Sequence, residues 1–585
     1  MATMTEVKTV SLPDAEVIQY APKFVLQTLP ASLPETPLDT NLDLETIAAP
    51  IVDRLAHLTV NDFSANAIWR DTFALTGSLR TFYSAQSIVK ASSDTFEIRQ
   101  ATVFTIVPRS AKHVKLGGDV GWVEVAFEFC LKAPPTARCM GFLSLVREKG
   151  EWKIWLLRTV LEQLDSCGNV DSLPSRTATT NRTGHSHAVD SAPVTDGNVL
   201  DCVIIGGGQA GLSCGGRLQA LNLDYAILDK NQRIGDCWAK RYDSAKLHTI
   251  REYNHLPFNH TFPDTCNEFL TKDELAEGYE RWAHEFGVDE HILLDTTVER
   301  GTWDPTKQLW TLQTVHSGTP RTLTAGTVIM ATGPGGHIPM MPTFPSQTKF
   351  RGTVLHSASY TSAVQWKGRA GLVIGTANTA HDVAADMVNA GLSTVTMVQR
   401  TRTHVLPWEY FAAIVRPSYH ADADLVAADR AGSTMPNAVT RLMAKGAMDA
   451  MASQEPERFD ALERADFKCA RYGEIFWHIL ERLGGHYIDV GCSKMIAEGL
   501  IKMKSGPAIT DFSPNGVIFS DGTEVPADVM VFCTGFVGDM RGDVERIFDT
   551  SVADEVGEFW GLDEEGEIKG AYKRSGRKCR VQLSR

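Results

Sequence analysis

The sequence has no C-x-x-C pair among its eleven cysteines, and none stands with histidine at zinc-ligand spacing. That argues against a paired-thiol redox centre and a zinc site, and leaves free thiols suited to a reducing compartment. No stretch approaches the ~20 apolar residues of a bilayer span. The opening residues, MATMTEVKTVSLPDAEV, lack the basic and then apolar pattern of a secretory leader, so the expected location is cytoplasmic. Basic excess is missing too. The formal net charge is −14, which argues against nucleic acid or an anionic membrane as partner. What is present is a globular composition: 585 residues, 43% hydrophobic and 22% charged. At roughly 100–200 residues per domain, that length suggests about three domains.

Composition along the chain divides it. Residues 1–45 carry scattered prolines and read as an irregular arm. Residues 46–165 read as a small α+β domain. Helical spacing runs over Leu44–Leu58, and strand-like runs cover Thr102–Val107, Gly121–Leu131, Cys139–Arg147 and Trp152–Val160. Residues 166–198 are rich in Ser, Thr, Asn, Gly and Pro, a linker composition that buries too little to order itself. From Val199 onward strand and helix patterns alternate, as in a doubly wound sheet. The predicted fold class is α/β, with two dinucleotide-binding (Rossmann-like) domains preceded by the α+β domain. The expected boundaries are 199–365 with 535–585 for the first, and 366–534, with a helical insertion, for the second.

The strand Leu200–Ile205 runs into Gly206-Gly207-Gly208-Gln209-Ala210-Gly211, then a helix, then the strand Tyr225–Leu228 ending at Asp229 and Lys230. This is G-x-G-x-x-G in strand–turn–helix context, with an acid at about the expected distance. Gly206 permits the turn, Gly208 lets backbone meet a pyrophosphate, and Gly211 lets helix and strand pack closely. The helix N-terminus holds phosphates, and Asp229 is the expected ribose acceptor. Gly215-Gly216 inside that helix costs roughly 1 kcal/mol each relative to alanine, so close packing is expected there.

A second βαβ unit follows. The strand Ala370–Ile374 leads into Gly375-Thr376-Ala377-Asn378-Thr379-Ala380, a helix to Ala390, and the strand Thr394–Val398 followed by Gln399 and Arg400. Ala377 puts a methyl group where backbone would meet pyrophosphate. Arg400, in place of an acid, suits a 2′-phosphate and so NADPH over NADH, with Arg402 able to assist.

Between and around these units lie motifs that carry a resemblance. Arg233-Ile234-Gly235-Asp236-Cys237-Trp238, then Tyr242 and Leu247-His248-Thr249, resembles the flavin-containing monooxygenases and the related Baeyer–Villiger enzymes, in which this stretch wraps FAD. Phe350–Tyr360 matches the fingerprint F-x-G-x-x-x-H-x-x-x-Y through Phe350, Gly352, His356 and Tyr360, and its tyrosine favours the flavin-containing branch. Ala331-Thr332-Gly333 and Thr534-Gly535-Phe536 resemble the A-T-G returns of such proteins. Residues 199–570 look like the fungal flavin-containing monooxygenase-like proteins, similar also to plant indole-pyruvate monooxygenases. Trp69-Arg70-Asp71, Leu75-Thr76 and Leu79-Arg80-Thr81-Phe82 are similar to their N-terminal domain, of nuclear-transport-factor-2 type.

The resemblance implies FAD and NADPH as cofactors, and a small molecule and O2 as substrates. One oxygen atom would be transferred through a flavin C4a-hydroperoxide. His356 would act in conformation or cofactor positioning, and the N-terminal domain would serve dimerisation or small-molecule binding. The tail after Gly576 departs from the pattern, with seven Lys or Arg over 569–585. It is expected to lack the final strand and helix that close the flavin pocket. That leaves two alternatives: an uncoupled oxidase, or a non-catalytic FAD-binding scaffold. Residues 403–500 are expected to supply helices lining a substrate pocket, with Trp408, Tyr410 and Phe411 as aromatic surface.

Overall fold

The structure, a computed structural model, describes residues 24–38, 42–176, 198–335 and 338–572 and the strand 581–583. The N-terminal domain opens with helix α1 (Leu44–Val52), whose last turn contains Pro50. Proline discourages further helix, and the expected extension to Leu58 becomes a separate short turn over Leu55–His57. Strands β1 (Phe63–Thr72) and β2 (Leu79–Tyr83), helix α2 (Ala85–Arg99), and strands β3 (Ala101–Ile106), β4 (Lys112–Gly117), β5 (Val120–Leu131), β6 (Ala137–Glu148) and β7 (Glu151–Leu164) follow. The sheet runs β2-β1-β7-β6-β5-β3, with β4 also on β5. Four of these strands match the expected runs.

Both faces of this sheet are covered. Val123, Val125, Phe127, Leu143, Leu145 and Leu157 pack with α1 and α2 on one face. Ile68, Trp122, Val146, Trp155 and Leu156 meet Val439 on the other. Burial on two sides is why these strands read as nearly continuous apolar runs rather than alternating ones.

The first Rossmann-like unit is built from β8 (Val199–Ile205), α3 (Gln209–Ala220), β9 (Tyr225–Leu228), α4 (Lys272–Phe286), β10 (Ile292–Leu293), β11 (Thr296–Asp304), β12 (Leu309–His316) and β13 (Thr319–Met330). Its sheet order is β10-β9-β8-β13-β12-β11. The paired glycines of α3 have the reason expected of them. A Cβ on Gly215 would lie 2.7 Å from Ile227, and one on Gly216 2.8 Å from both Trp282 and Phe258. Close packing of α3 between β9 and α4 requires both.

The second unit comprises β14 (Thr353–His356), β15 (Ala370–Ile374), α5 (Asn378–Asn389), β16 (Thr394–Gln399), β17 (Thr403–Pro407), the insertion helices α6 (Trp408–Val415), α7 (Leu425–Ser433), α8 (Asn437–Gln454) and α9 (Pro456–Arg464), then β18 (His486–Asp489), β19 (Lys502–Ser505) and β20 (Val529–Phe532). The parallel sheet runs β14-β20-β15-β16-β19.

Three expectations need correction. The boundary at 365 is too late, because Thr353–His356 already pairs with β20 in the second sheet. The arm is not wholly irregular: Val25–Thr28 is helical, and Phe24 and Leu26 enter the core of the first unit, a hydrophobic anchor hidden by flanking prolines. A final strand is present: β21 (Val581–Leu583) adds in parallel to β13. The linker expected over 166–198 lies largely outside the described residues. Its first part docks, with Asp171 taking ion pairs from Arg217 of α3 and Arg430 of α7.

Candidate nucleotide sites

At the end of β8 the chain turns through Gly206, whose φ of +112° favours glycine. A Cβ there would meet the Ala331 carbonyl oxygen at 2.4 Å, and one on Gly211 would lie 1.9 Å from the Gly206 carbonyl oxygen. Those two glycines are required by the protein's own packing. Gly208 differs, since among the described residues, its chain neighbours apart, no atom lies within 4 Å of the place its Cβ would occupy. Gly208 is also the N-cap of α3 and supplies no side-chain cap. The first-turn N–H groups of Gln209, Ala210 and Gly211 therefore face an open cradle, the arrangement that suits a diphosphate. By contrast α4 begins with a complete Thr271–Glu274 capping box.

The second unit repeats this geometry. Gly375 has φ +124°, and its Cβ would meet the Cys533 carbonyl oxygen at 2.6 Å. Ala377, the uncapped N-cap of α5, sits at φ −91°, ψ −176°, against −78°, −169° for Gly208. Extended backbone accommodates alanine, so the substitution adds a methyl without changing the loop. An Ala377→Gly variant is expected to bind the second dinucleotide severalfold more tightly, read as the NADP+ dissociation constant by flavin-absorbance titration.

Around the first loop, Asp229 is turned inward more than expected. Its Oδ2 accepts from the Gly207 N–H at 2.7 Å, and its Oδ1 from the backbone N–H of Asn231 at 2.8 Å. It holds the glycine loop closed, and any ribose hydroxyl would have to share these oxygens. The Gln209 amide oxygen accepts from the Tyr279 hydroxyl at 3.2 Å. Lys230 is exposed, Arg233 pairs with Glu280 at 3.0 Å, and the Arg241 guanidinium lies 4.4 Å over the Trp238 ring. Ala331 abuts Gly206, Gly333 has φ +102°, and the Thr332 hydroxyl donates to Asp543 at 2.9 Å. His248 is buried, with Nε2 at 3.0 Å from Asp382 Oδ1 and no partner for Nδ1 among the described residues.

Each fingerprint residue has a physical reason. Phe350 packs edge-on to Phe512. A Cβ on Gly352 would strike the Asp528 carbonyl oxygen at 2.3 Å. His356 pins two chain crossings: Nε2–H donates to the Gly535 carbonyl at 3.0 Å, while Nδ1 accepts from the Ala358 N–H at 3.1 Å. Burial holds its pKa below the ordinary histidine value despite that carbonyl, so the ring stays neutral in this role. The Tyr360 hydroxyl donates to Asp386, and burial followed by this carboxylate raises its pKa.

In the second unit, Thr376 and Thr403 hydroxyls are 2.6 Å apart, and Asn378 Oδ1 accepts from the Ile488 N–H at 2.9 Å. Thr379 lies in the first turn of α5. Arg400 is exposed and has no ion pair among the described residues, whereas Arg402 is tied to Glu463 and the Cys469 carbonyl, both at 2.6 Å. Only Arg400 is therefore poised for a 2′-phosphate. An Arg400→Ala variant should lose its preference for NADPH over NADH by about 10- to 100-fold, the size of one charge-assisted hydrogen bond, measured as the ratio of flavin-reduction efficiencies.

Trp408, Tyr410 and Phe411 are engaged by neighbouring side chains. Trp408 and Phe411 pack edge-on to Phe269 and Tyr253, and Tyr410 is buried with its hydroxyl on Glu455. A surface groove of about 580 Å3 is lined by Glu299, Gln313, Arg321 and Thr324, at the opposite end of β8 from Gly206. It holds none of the expected site residues. Glu252, His255 and His260 also converge. There the Phe262 N–H faces His255 Nδ1 at 3.3 Å, leaving the proton on Nε2 to bond Glu252 at 2.9 Å. Sequence reading missed Asp382 and Asp386, whose i,i+4 spacing on the inward side of α5 was the available signal.

Residues 203–428 match the family model described as pyridine nucleotide-disulphide oxidoreductase. The chain is similar to the probable indole-3-pyruvate monooxygenase YUCCA9 of Arabidopsis thaliana, at 30% identity over 35% of this chain and 48% of that protein. It is also similar to YUCCA7 of the same plant, at 28% over 57% and 73%. The chain spans about half the length of the first curated relatives it matches. Among solved structures it is similar to an open form of cyclohexanone monooxygenase, with TM-score 0.45 and 19% identity over 60% of this chain and 76% of that one. A flavin-containing monooxygenase from Stenotrophomonas maltophilia gives TM-score 0.42 and 20% identity over 66% and 90%.

Proposed function

We propose that the chain is an NADPH- and FAD-dependent monooxygenase that transfers one atom of O2 to a small organic substrate. One observation carries this reading: two glycine-loop units of nearly the same backbone, each opening on an uncapped helix, joined by the Phe350–Tyr360 segment. The similarity to indole-3-pyruvate monooxygenases supports oxygen transfer, and the lack of C-x-x-C argues against disulfide reduction.

The first loop, through Gly206, Gly208, Gln209, Ala210 and Gly211, would grip FAD by its diphosphate. Asp229, Lys230, Arg233, Trp238, His248 and Ala331–Gly333 surround the remainder. The second, through Gly375, Thr376, Asn378, Thr379 and Arg400, would take NADPH. FAD, when bound, supplies the redox and oxygen-activating chemistry; the protein supplies orientation and a dry site. The methyl of Ala377 loosens the second grip. That suits a resident flavin beside a nicotinamide nucleotide that exchanges.

The N-terminal domain, read as nuclear-transport-factor-2 type, serves in this proposal as a docking body. Phe96, Phe104, Phe127 and Phe129 fill its interior, and its outer sheet face is covered by its own chain. Any pairing of two copies through it would use other surfaces. The free thiols fit a cytoplasmic location.

The experiment is purification, addition of NADPH, and oxygen-uptake screening over ketones, amines and thioethers. A yellow protein whose 450 nm band bleaches with NADPH and which yields oxygenated product supports the reading. Peroxide in place of product marks an uncoupled oxidase, and a colourless protein sinks the proposal.

A further inference from the structure

Helix α5 does more than present its N-terminus to a dinucleotide. Four residues in from that end, Asp382 accepts two hydrogen bonds from the loop that follows Trp238 in the other unit. The Tyr242 hydroxyl donates to Oδ2 at 2.7 Å, and His248 Nε2–H to Oδ1 at 3.0 Å. The His248 and Asp382 side chains are 6% and 8% exposed, so water does not compete for these bonds. One turn on, Asp386 accepts from the Tyr360 hydroxyl and the Ala363 N–H. The loop is rigid on its own side, because Leu247 N–H donates to the Leu270 carbonyl at 2.8 Å and Lys272 N–H to the Ala245 carbonyl at 2.9 Å. A backbone bond from Asp243 N–H to the Thr361 carbonyl, 2.9 Å, adds a further tie to the fingerprint segment. Behind Asp382, His381 stacks on Tyr487 at 3.5 Å between centroids, and burial lowers its pKa to about 4, so it brings no second charge.

We infer that Asp382 is a positioning residue that sets the register between the two nucleotide sites, with Tyr242 and His248 as its two reporters on the flavin side. This rests on the proposed cofactor assignment. A carboxylate suits this geometry without any change in its partners. Its two oxygens accept from two donors at once, whereas an asparagine would require Tyr242 or His248 to turn from donor to acceptor. The link also fixes the tautomer of His248, with the proton on Nε2. Displacement of α5 by an arriving dinucleotide is then transmitted to the loop at Trp238. An error of about 1 Å between reacting groups can cost on the order of 100-fold in rate.

The experiment uses the full chain as purified. For Asp382→Ala, flavin bleaching at saturating NADPH should slow by about 10- to 100-fold, while the NADP+ dissociation constant stays within about threefold and flavin content is retained. Tyr242→Phe, which removes one donor and keeps the ring, should fall between wild type and Asp382→Ala, and serves if Asp382→Ala does not fold. Hydrogen exchange over residues 242–249, measured without NADPH, should rise in both variants. A purely structural role would lower the melting temperature and leave saturated bleaching unchanged, and that result overturns the inference. Unchanged exchange overturns it as well, and needs no turnover. A wild type that never bleaches would instead be a failure of the cofactor assignment, with the exchange measurement still deciding the link through Asp382.

Discussion

Alanine at Gly208 is expected to give a folded protein that purifies without flavin. Among the described residues, chain neighbours apart, nothing lies within 4 Å of the added methyl, so the apo fold should be as stable as wild type to within about 0.5 kcal/mol, the usual range for a substitution that touches nothing. Only a ligand seated in the cradle meets that methyl. The ratio of 450 nm to 280 nm absorbance should fall at least about tenfold, since the diphosphate loses its close approach to the first-turn N–H groups. Gly211→Ala makes the contrast. Its Cβ would sit 1.9 Å from the Gly206 carbonyl oxygen, so the loop itself must deform. That variant should lose both flavin and about 1–3 kcal/mol of stability. A fully yellow Gly208→Ala protein would move the flavin away from this loop.

The second large effect lies where the N-terminal domain docks. Arg70 and Glu567 form a bidentate ion pair at 2.7 Å on both arms, with side chains 8% and 1% exposed. Thr81 donates its hydroxyl to the same carboxylate at 2.6 Å, and Arg70 also bonds the Ser433 and Met435 carbonyls. Next to it, Arg80 and the Thr81 N–H engage Glu565, and the Tyr83 hydroxyl donates to the Glu565 carbonyl. Glu567→Ala leaves a buried guanidinium without its counter-charge, a change that costs about 3–5 kcal/mol. The unfolding midpoint in urea should drop accordingly. The double variant Arg70→Met with Glu567→Met removes both charges together and should recover most of the loss, because much of the single-variant penalty is an unpaired charge. Equal losses in the two would show that the pair itself, and not the orphaned charge, sets the stability of the dock.

The glycine loops were legible from sequence because they are local. Strand, turn, glycine spacing and helix occupy one short stretch, even though the close approaches of Ala331 to Gly206 and of Cys533 to Gly375 come from far along the chain. The central strands of the N-terminal domain were legible for the same reason. β1 and β2 were not, because Arg70, Asp71 and Thr81 put buried polar groups on strands where periodicity looks for apolar ones. Arg70 and Thr81 are satisfied from far along the chain, at Glu567 and Glu565, and Asp71 by Thr76 and Thr159. The early segment from Phe24 escaped notice likewise: a few apolar residues among prolines carry no period, and their burial depends on a core assembled much later in the chain.

By itself, then, the sequence determined the two dinucleotide-type units, their order, the fingerprint between them, and an arginine in place of the second acid. These rest on short-range sterics and hydrogen bonding. Tertiary structure alone decided that Asp229 closes its own loop, that Arg402 is occupied while Arg400 has no ion pair among the described residues, and that Asp382 takes both Tyr242 and His248 from the other unit. Each of those outcomes depends on which donor reaches which oxygen across the fold, and no local pattern carries that information.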